Sequence, residues 1–245
     1  MPTLDSSVLA KLRAFDTPTI CNLIEIFEVR PRNTGYMDAR IRACFPQMPP
    51  VVGFAATATF RADAPPRGGD AYDLDRQVER FAELSGPPVV VFQDLDDPAV
   101  AATFGEVMCT VYQRFGAAAL ITSGAGRDLD QVEALGFPVF TNGTICAHGY
   151  CHTPQIHVPV RVGGVVVHPD DLLHADRNGV TTIPAEIAAE LADVGDEFVA
   201  AEGVILNAMR DGQPSVRRLQ EARAEMGARV AALRARVSRT AAVRA

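Results

Sequence analysis

The spacing of apolar positions changes period several times along the chain, and each change marks an element. From Ser6 to Phe27, "SSVLAKLRAFDTPTICNLIEIF" carries apolar residues at helical spacing, with Asp16 or Thr17 ahead of Pro18 as a helix start. Two helices are expected there. "RIRACFPQMPPVVGFAATATF" then passes through prolines into a β-rich segment, Val51 to Phe60. "RADAPPRGGDAYD" reads as a loop, and "LDRQVERFAEL" as a helix with Leu74, Val78, Phe81 and Leu84 along one stripe. "GPPVVVFQDL" is a short continuous apolar run that suits a strand buried on both faces. A loop and a helix opening near Phe104 or Gly105 follow, then a strand in "AAALIT", a short helix in "DLDQVEALG" and a strand in "FPVFT". This alternation predicts an α/β layered core.

The pattern changes again in "HVPVRVGGVVVHPDDLLHADRNGVTTIP", where apolar residues alternate between the turn signals "GG", "HPDD" and "DRNG". A β-meander or small barrel-like layer is expected. At the end, Val216, Leu219, Ala222, Met226, Val230 and Leu233 fall at helical spacing among many arginines. That pattern predicts an amphipathic helix docked on its own subunit or on a neighbour. The expected organisation is a main domain over residues 1–205, N-terminal helices included, and a C-terminal amphipathic helix over 206–245.

Composition narrows the chemistry. Apolar residues make up 48% and charged residues 22% of the 245, the profile of a folded globular chain. The net charge of −7 argues against a phosphate-backbone binder, so nucleic acid is not expected as a partner. The single lysine, Lys11, lies in the first predicted helix and weighs against Schiff-base chemistry. The odd number of cysteines, Cys21, Cys44, Cys109, Cys146 and Cys151, has no framework spacing and reads as reduced thiols in a cytoplasmic protein. No apolar stretch approaches the roughly 18 residues of a membrane span.

Three segments could carry chemistry. Gly105 and Glu106 open a helix after a buried strand, so unpaired backbone N–H groups there form either an anion site or a plain helix start. "GAGRD" follows the next strand, which places Arg127 and Asp128 at the same end of the sheet, where open α/β sheets bind ligands. Arg127 offers a planar donor fork suited to a carboxylate or keto-acid oxygen. Asp128 reads as a ligand or as a helix cap, because Gln131 three residues on completes a capping-box pattern. "CAHGYCH" holds Cys146, His148, Cys151 and His152, but its spacing fails the usual zinc test, leaving a pocket lining or a solvent-facing loop. Neither a nucleophile elbow nor a G-x-G-x-x-G fingerprint is present.

Taken together, "GFAATATF", "FGEV" followed by "GAGRD", "GFPVF" and the "GG…P-D…AD-NGV" block resemble the RraA-like family over about Phe15 to Pro184. That family includes the class II 4-hydroxy-4-methyl-2-oxoglutarate/4-carboxy-4-hydroxy-2-oxoadipate aldolases. The resemblance implies an RraA-like, swivelling-domain-like layered core with flanking helices. It implies that the amides of Gly105, Glu106, Val107 and Met108 bind the pyruvate carboxylate, and that Arg127 holds the keto acid and steadies the enolate. It assigns Asp128 to a divalent metal, Mg²⁺ or Mn²⁺, whose other ligands are mostly water. The implied activity is a metal-dependent lyase that cleaves a small 4-hydroxy-2-oxo acid to pyruvate, with oxaloacetate decarboxylation as a second activity. A homotrimer or hexamer is expected. The alternative within the family is a non-catalytic regulator that binds an RNA-processing endonuclease. The chain departs from the family pattern at Asn22, where an acidic residue is frequent, at Asp170, where glycine is usual, and in the loop "TICAHGYCHTPQIH".

Overall fold

A computed structural model describes residues 4–67 and 73–239. Its elements in chain order are α1 (Ser6–Arg13), α2 (Thr17–Phe27), β1 (Arg42–Ala43), β2 (Val51–Phe60), α3 (Leu74–Glu79), β3 (Pro88–Asp94), β4 (Ala102–Phe104), α4 (Glu106–Arg114), β5 (Ala119–Thr122), β6 (Ala125–Gly126), α5 (Leu129–Ala134), β7 (Val139–Thr141), β8 (Val160–Val162), β9 (Val165–Val167), β10 (Leu172–Asp176), β11 (Gly179–Ile183), α6 (Ala188–Arg210) and α7 (Val216–Val237). The chain divides into two compact units. One contains the residues up to Thr17 and Gly35–Ala185, the other Pro18–Thr34 and the described residues from Glu186 on.

The first unit is built on a seven-stranded mixed sheet in the order β1-β7-β5-β3-β2-β10-β11. β2, β3, β5 and β7 run parallel, and β1, β10 and β11 are antiparallel to their neighbours. The apolar run Pro88–Phe92 of β3 is explained by burial on both faces. Val90 and Phe92 enter one core with Phe60, Phe104, Tyr112 and Phe137, whereas Val89 and Val91 enter another with Val51, Ile121, Phe140 and Leu173. The expected meander is split. β10 and β11 extend the main sheet beside β2, while β8 and β9 form a separate hairpin. The helix predicted over "LDRQVERFAEL" ends at Glu79 and tightens into a 3₁₀ turn at Arg80–Glu83, so Leu84 lies beyond it.

His174 on β10 is fully buried and anchors the N-terminal segment. Its Nδ1 lies 2.9 Å from the Thr17 hydroxyl and its Nε2 3.2 Å from the Leu12 carbonyl. Burial holds the imidazole below its ordinary pKa. Asp170, at the position where the family favours glycine, has a positive φ of 68°. Its carboxylate accepts hydrogen bonds from the Ser85 N–H at 2.7 Å and the Ser85 hydroxyl at 2.6 Å, which hold this unfavourable backbone in place.

The second unit holds most of α2 together with α6 and α7, and the last two pack on each other. The 23-residue α6 was not among the expected elements, although Leu191, Val194, Phe198 and Ala201 are buried at helical spacing. The boundary expected at 205/206 falls inside this helix. On α7 the buried positions are Ala222, Leu233 and Val237, whereas Val216 at the start of the expected stripe is exposed. Several of its arginines are paired: Arg217 with Glu221, Arg229 with Glu225 and Arg236 with Glu197. No helix among the described residues is long and apolar enough to cross a membrane.

Candidate functional site

Two short parallel strands, β4 and β6, bring the two candidate segments together. β6 leaves the end of β5 and leads into Arg127, whose N–H donates to the Phe104 carbonyl at 3.1 Å. β4 leads into Gly105, the residue before α4. Both glycines at this junction are required by close approach. A Cβ on Gly126 would lie 2.2 Å from the Phe104 ring, and one on Gly105 would lie 2.5 Å from the Asp128 Oδ2 and 3.1 Å from the Arg127 Nε. The absence of a side chain at Gly105 therefore seats the Arg-Asp pair against the start of α4.

Asp128 does not cap α5 with its side chain. It precedes α5 with φ 55° and ψ 40°, in the left-handed region, and its side chain makes no hydrogen bond to that helix. The capping box with Gln131 is not formed. The Asp128 Oδ2 accepts instead from the Glu106 N–H at the start of α4, at 3.0 Å. The left-handed backbone redirects the carboxylate across to the neighbouring helix, and aspartate is one of the few side chains that tolerate it. The Arg127 Nε stands 3.7 Å from the same oxygen. Both side chains are about one-third exposed, which leaves them accessible to a ligand.

Gly105, Glu106, Arg127 and Asp128 are thus gathered in one place. Glu106 is exposed beside them. The Val107 side chain is 74% exposed, so its contribution here is its amide, and Met108 packs partly into the core. The Val107 and Met108 N–H groups have no acceptor among the described residues. Unpaired amides at the positive end of a helix dipole are able to seat an anion. The donor set also fits a hard divalent cation. The Asp128 Oδ1 makes no hydrogen bond among the described residues, and Glu106, whose backbone N–H binds the other oxygen, carries an exposed carboxyl side chain of its own. Mg²⁺ commonly takes one or two carboxylates and keeps several waters.

Other candidates fall elsewhere. Asn22 belongs to the second unit, where its Nδ2 donates to Glu202 Oε1 at 3.3 Å. The loop after β7 runs beside the site through its backbone. Thr144 bridges Gly126, the Ile145 N–H donates to the Gly126 carbonyl at 3.1 Å, and the Ala147 carbonyl accepts from Ala102 at 2.8 Å. Its Cys146 and Cys151 are exposed, with the Cys151 Sγ 3.9 Å from His148 Nδ1. Among the described residues no group of three His, Cys, Asp or Glu side chains could hold a metal ion.

Asp94 is the residue that the sequence reading passed over. It ends β3, and its Oδ2 is buried without a hydrogen-bond partner next to Gly124, where a Cβ would meet that oxygen at 2.3 Å. Burial pushes its pKa up to about 6, an Asp96 N–H bond opposes the shift, and the charge of Asp96 adds to it. The signal was in "VVVFQDLDD", where a carboxylate closes a strand buried on both faces. Asp94, Asp96 and Asp97 line an open cleft of about 370 Å³ at the carboxyl ends of β3, β5 and β7.

The model of the RraA-like family, described as Aldolase/RraA, matches residues 17–182. A relative from Halalkalibacterium halodurans named "Putative 4-hydroxy-4-methyl-2-oxoglutarate aldolase" is 35% identical over 101 residues, which cover 41% of this chain and 48% of that protein. The match thus spans about half the length of that relative. A protein of the same name from Alcanivorax borkumensis is 30% identical over 114 residues, covering 46% of this chain and 71% of its own. Among solved structures, an uncharacterized protein from Pseudomonas syringae superposes with a TM-score of 0.70 at 20% identity, covering 90% of this chain and 94% of that one. RraAS2 of Streptomyces coelicolor, described as an unusual member of the RNase ES inhibitor RraA protein family, gives 0.67 at 24% identity, covering 83% and 97%. These structural likenesses establish the shared fold.

Proposed function

The chain belongs to the RraA-like family, and from that premise we propose that it is a divalent-metal-dependent lyase cleaving a 4-hydroxy-2-oxo acid to pyruvate, with oxaloacetate decarboxylation as a second activity. The observation that carries the reading is the turn of Asp128 away from its own helix and onto the first amide of α4. That turn places a carboxylate, a guanidinium and a helix N-terminus around one small space. The free Val107 and Met108 amides would hold the substrate carboxylate, and the fork of Arg127 would reach the adjacent keto oxygen. Loss of the hydroxyl proton to solvent water turns the hydroxyl-bearing carbon into the carbonyl of the second product as the carbon–carbon bond breaks. The bonding pair delocalises onto the keto oxygen as an enolate that takes a proton from water to give pyruvate. Arg127 is preplaced to meet the developing charge. A divalent cation held by Asp128, with Glu106 beside it, would supply Lewis acidity toward the same oxo acid.

Decarboxylation of oxaloacetate passes through the same enolate, so it provides the simplest test. Pyruvate release from oxaloacetate, coupled to lactate dehydrogenase, should require added Mg²⁺ or Mn²⁺ and stop with chelator. Absence of enzyme-dependent pyruvate from both oxaloacetate and 4-hydroxy-4-methyl-2-oxoglutarate, at saturating metal, would reject the lyase. The feature that favours the regulator alternative is the arginine-rich C-terminal helix, but Glu221, Glu225 and Glu197 pair there with Arg217, Arg229 and Arg236. We further infer a cytoplasmic trimer or hexamer, which light scattering at micromolar concentration tests.

A further inference from the structure

A second cavity, of about 360 Å³, is lined by Leu129, the residue after the Arg127–Asp128 turn, while neither Arg127 nor Asp128 lines it. Its wall contains Arg40, Arg42, Cys44, Leu129, Asn142 and Thr144, with no carboxylate anywhere on it. In a chain of net charge −7 this is an unusual place to find two guanidinium groups together. They are not equivalent. Arg40 is held by Asp38 through hydrogen bonds at 3.0 and 2.7 Å. Arg42 gives its Nε to the Ala39 carbonyl at 3.0 Å and has no carboxylate partner among the described residues. One free donor fork therefore faces the cavity.

We propose that this cavity is a binding site for a small carboxylate with a short hydrocarbon body, separate from the anion seat at α4. The fork of Arg42 matches a carboxylate in a bidentate arrangement. Asn142 and Thr144 add neutral polar groups at the rim. The body is specified by the remaining wall, since Leu129 and Ala43 are apolar and the Cys44 thiol stays protonated, burial having pushed it up to about 11. A bare phosphate would meet the same guanidinium but leave that apolar wall uncovered. The cavity is within the size range of small-ligand sites. It also touches the candidate centre by two routes. Leu129 directly follows Asp128, and Thr144 bridges Gly126, which directly precedes Arg127. The binding claim does not depend on the lyase reading.

Butyrate is the probe, titrated by saturation-transfer NMR into the full chain without divalent metal, at constant ionic strength. The parent should show saturable binding in the millimolar range. Arg42→Gln should weaken it about tenfold, the scale of a lost charge-assisted hydrogen-bond pair, while Arg127→Lys should leave it within about twofold of the parent. Arg42 is exposed, so the variant is expected to melt with the parent, and a matched melt confirms that lost binding is local. Unchanged affinity in Arg42→Gln, or no saturable signal in the parent, overturns the site. Equal weakening by Arg127→Lys shows that the signal is not specific to the Arg42 cavity and also overturns it. Displacement of butyrate by phosphate at lower concentration than by a second carboxylate overturns the ligand class.

Discussion

Gly105→Ala isolates the geometry of the site from the chemistry of its side chains. The backbone at Gly105 has φ −153° and ψ −170°, extended values that alanine adopts freely, so the substitution introduces no backbone strain. The new methyl would stand 2.5 Å from the Asp128 Oδ2. Non-bonded heavy atoms settle at roughly 3.5 Å, so the carboxylate must retreat by about 1 Å. Arg127, whose Nε would lie at 3.1 Å, has to give by less.

A displacement of about 1 Å at a reacting centre costs roughly 100-fold in rate. The effect on stability is small and of mixed sign. Losing the Glu106 N–H bond to a carboxylate about one-third exposed costs on the order of 1 kcal/mol, and replacing glycine by alanine recovers about 0.4–1 kcal/mol through the unfolded state. The expected result is a roughly 100-fold fall in kcat/KM for pyruvate release from oxaloacetate, a raised Mg²⁺ requirement, and a melting temperature within about 3 °C of the parent. Turnover within about threefold of the parent at the parent's metal requirement would refute the claim that Asp128 works from its present position.

Asp128→Asn should leave the melt nearly unchanged, because an amide oxygen still accepts from Glu106 N–H and asparagine tolerates the left-handed backbone. It should raise the Mg²⁺ needed for pyruvate release at least tenfold, and a mutant with the parent's Mg²⁺ curve would sink the metal assignment. Arg127→Lys keeps the charge and loses the fork, so turnover should fall by at least tenfold with no change in stability; near-parental turnover would exclude Arg127 from the centre. Asp94→Asn should raise the melting temperature at pH 8, where the parent's half-buried carboxylate is ionised. That advantage should shrink below pH 6, where Asp94 in the folded parent is protonated; a pH-independent gap would contradict the raised pKa. His174 has the opposite sign: its folded pKa lies below 6.5, so its contribution to stability is lost as pH falls through 6.5, and His174→Gln should flatten that part of the stability profile. Gly203→Ala, in α6 with no atom within 4 Å of the new methyl, should stabilise by about 0.5–1 kcal/mol, read from chemical denaturation.

The parallel strands were legible because burial on both faces leaves runs such as "VVVF" and "AALIT" with no competing interpretation. The pairing of the Gly105 and Arg127 segments at one end of the sheet followed from strand order alone. The strands β4 and β6 were not legible, since three and two residues carry no period, and their pairing depends on contacts distant in sequence. α6 was overlooked for a different reason. Its alanines, glycines and acidic residues dilute a stripe that emerges only over its full length. Asp128 was ambiguous because a capping pattern is read from residue types, whereas the outcome was decided by one backbone angle.

Among the described residues one other aspartate, Asp170, is held at positive φ, and its hydrogen bonds set it apart from Asp128. Asp170 sits at 68°, and its two oxygens are taken by the two Ser85 donors, so the fold itself accounts for the strain. Asp128 sits at 55° with a single hydrogen bond, that bond is to a different helix, and the second oxygen is open. An ordinary cap would have satisfied α5 at lower conformational cost, since N-cap residues normally keep an extended backbone. A local arrangement that gives up its own cap, holds a left-handed backbone and keeps one carboxylate oxygen uncommitted is not explained by stability. It is explained if that oxygen has a ligand, and the Mg²⁺ dependence of the Asp128→Asn variant asks which ligand it is.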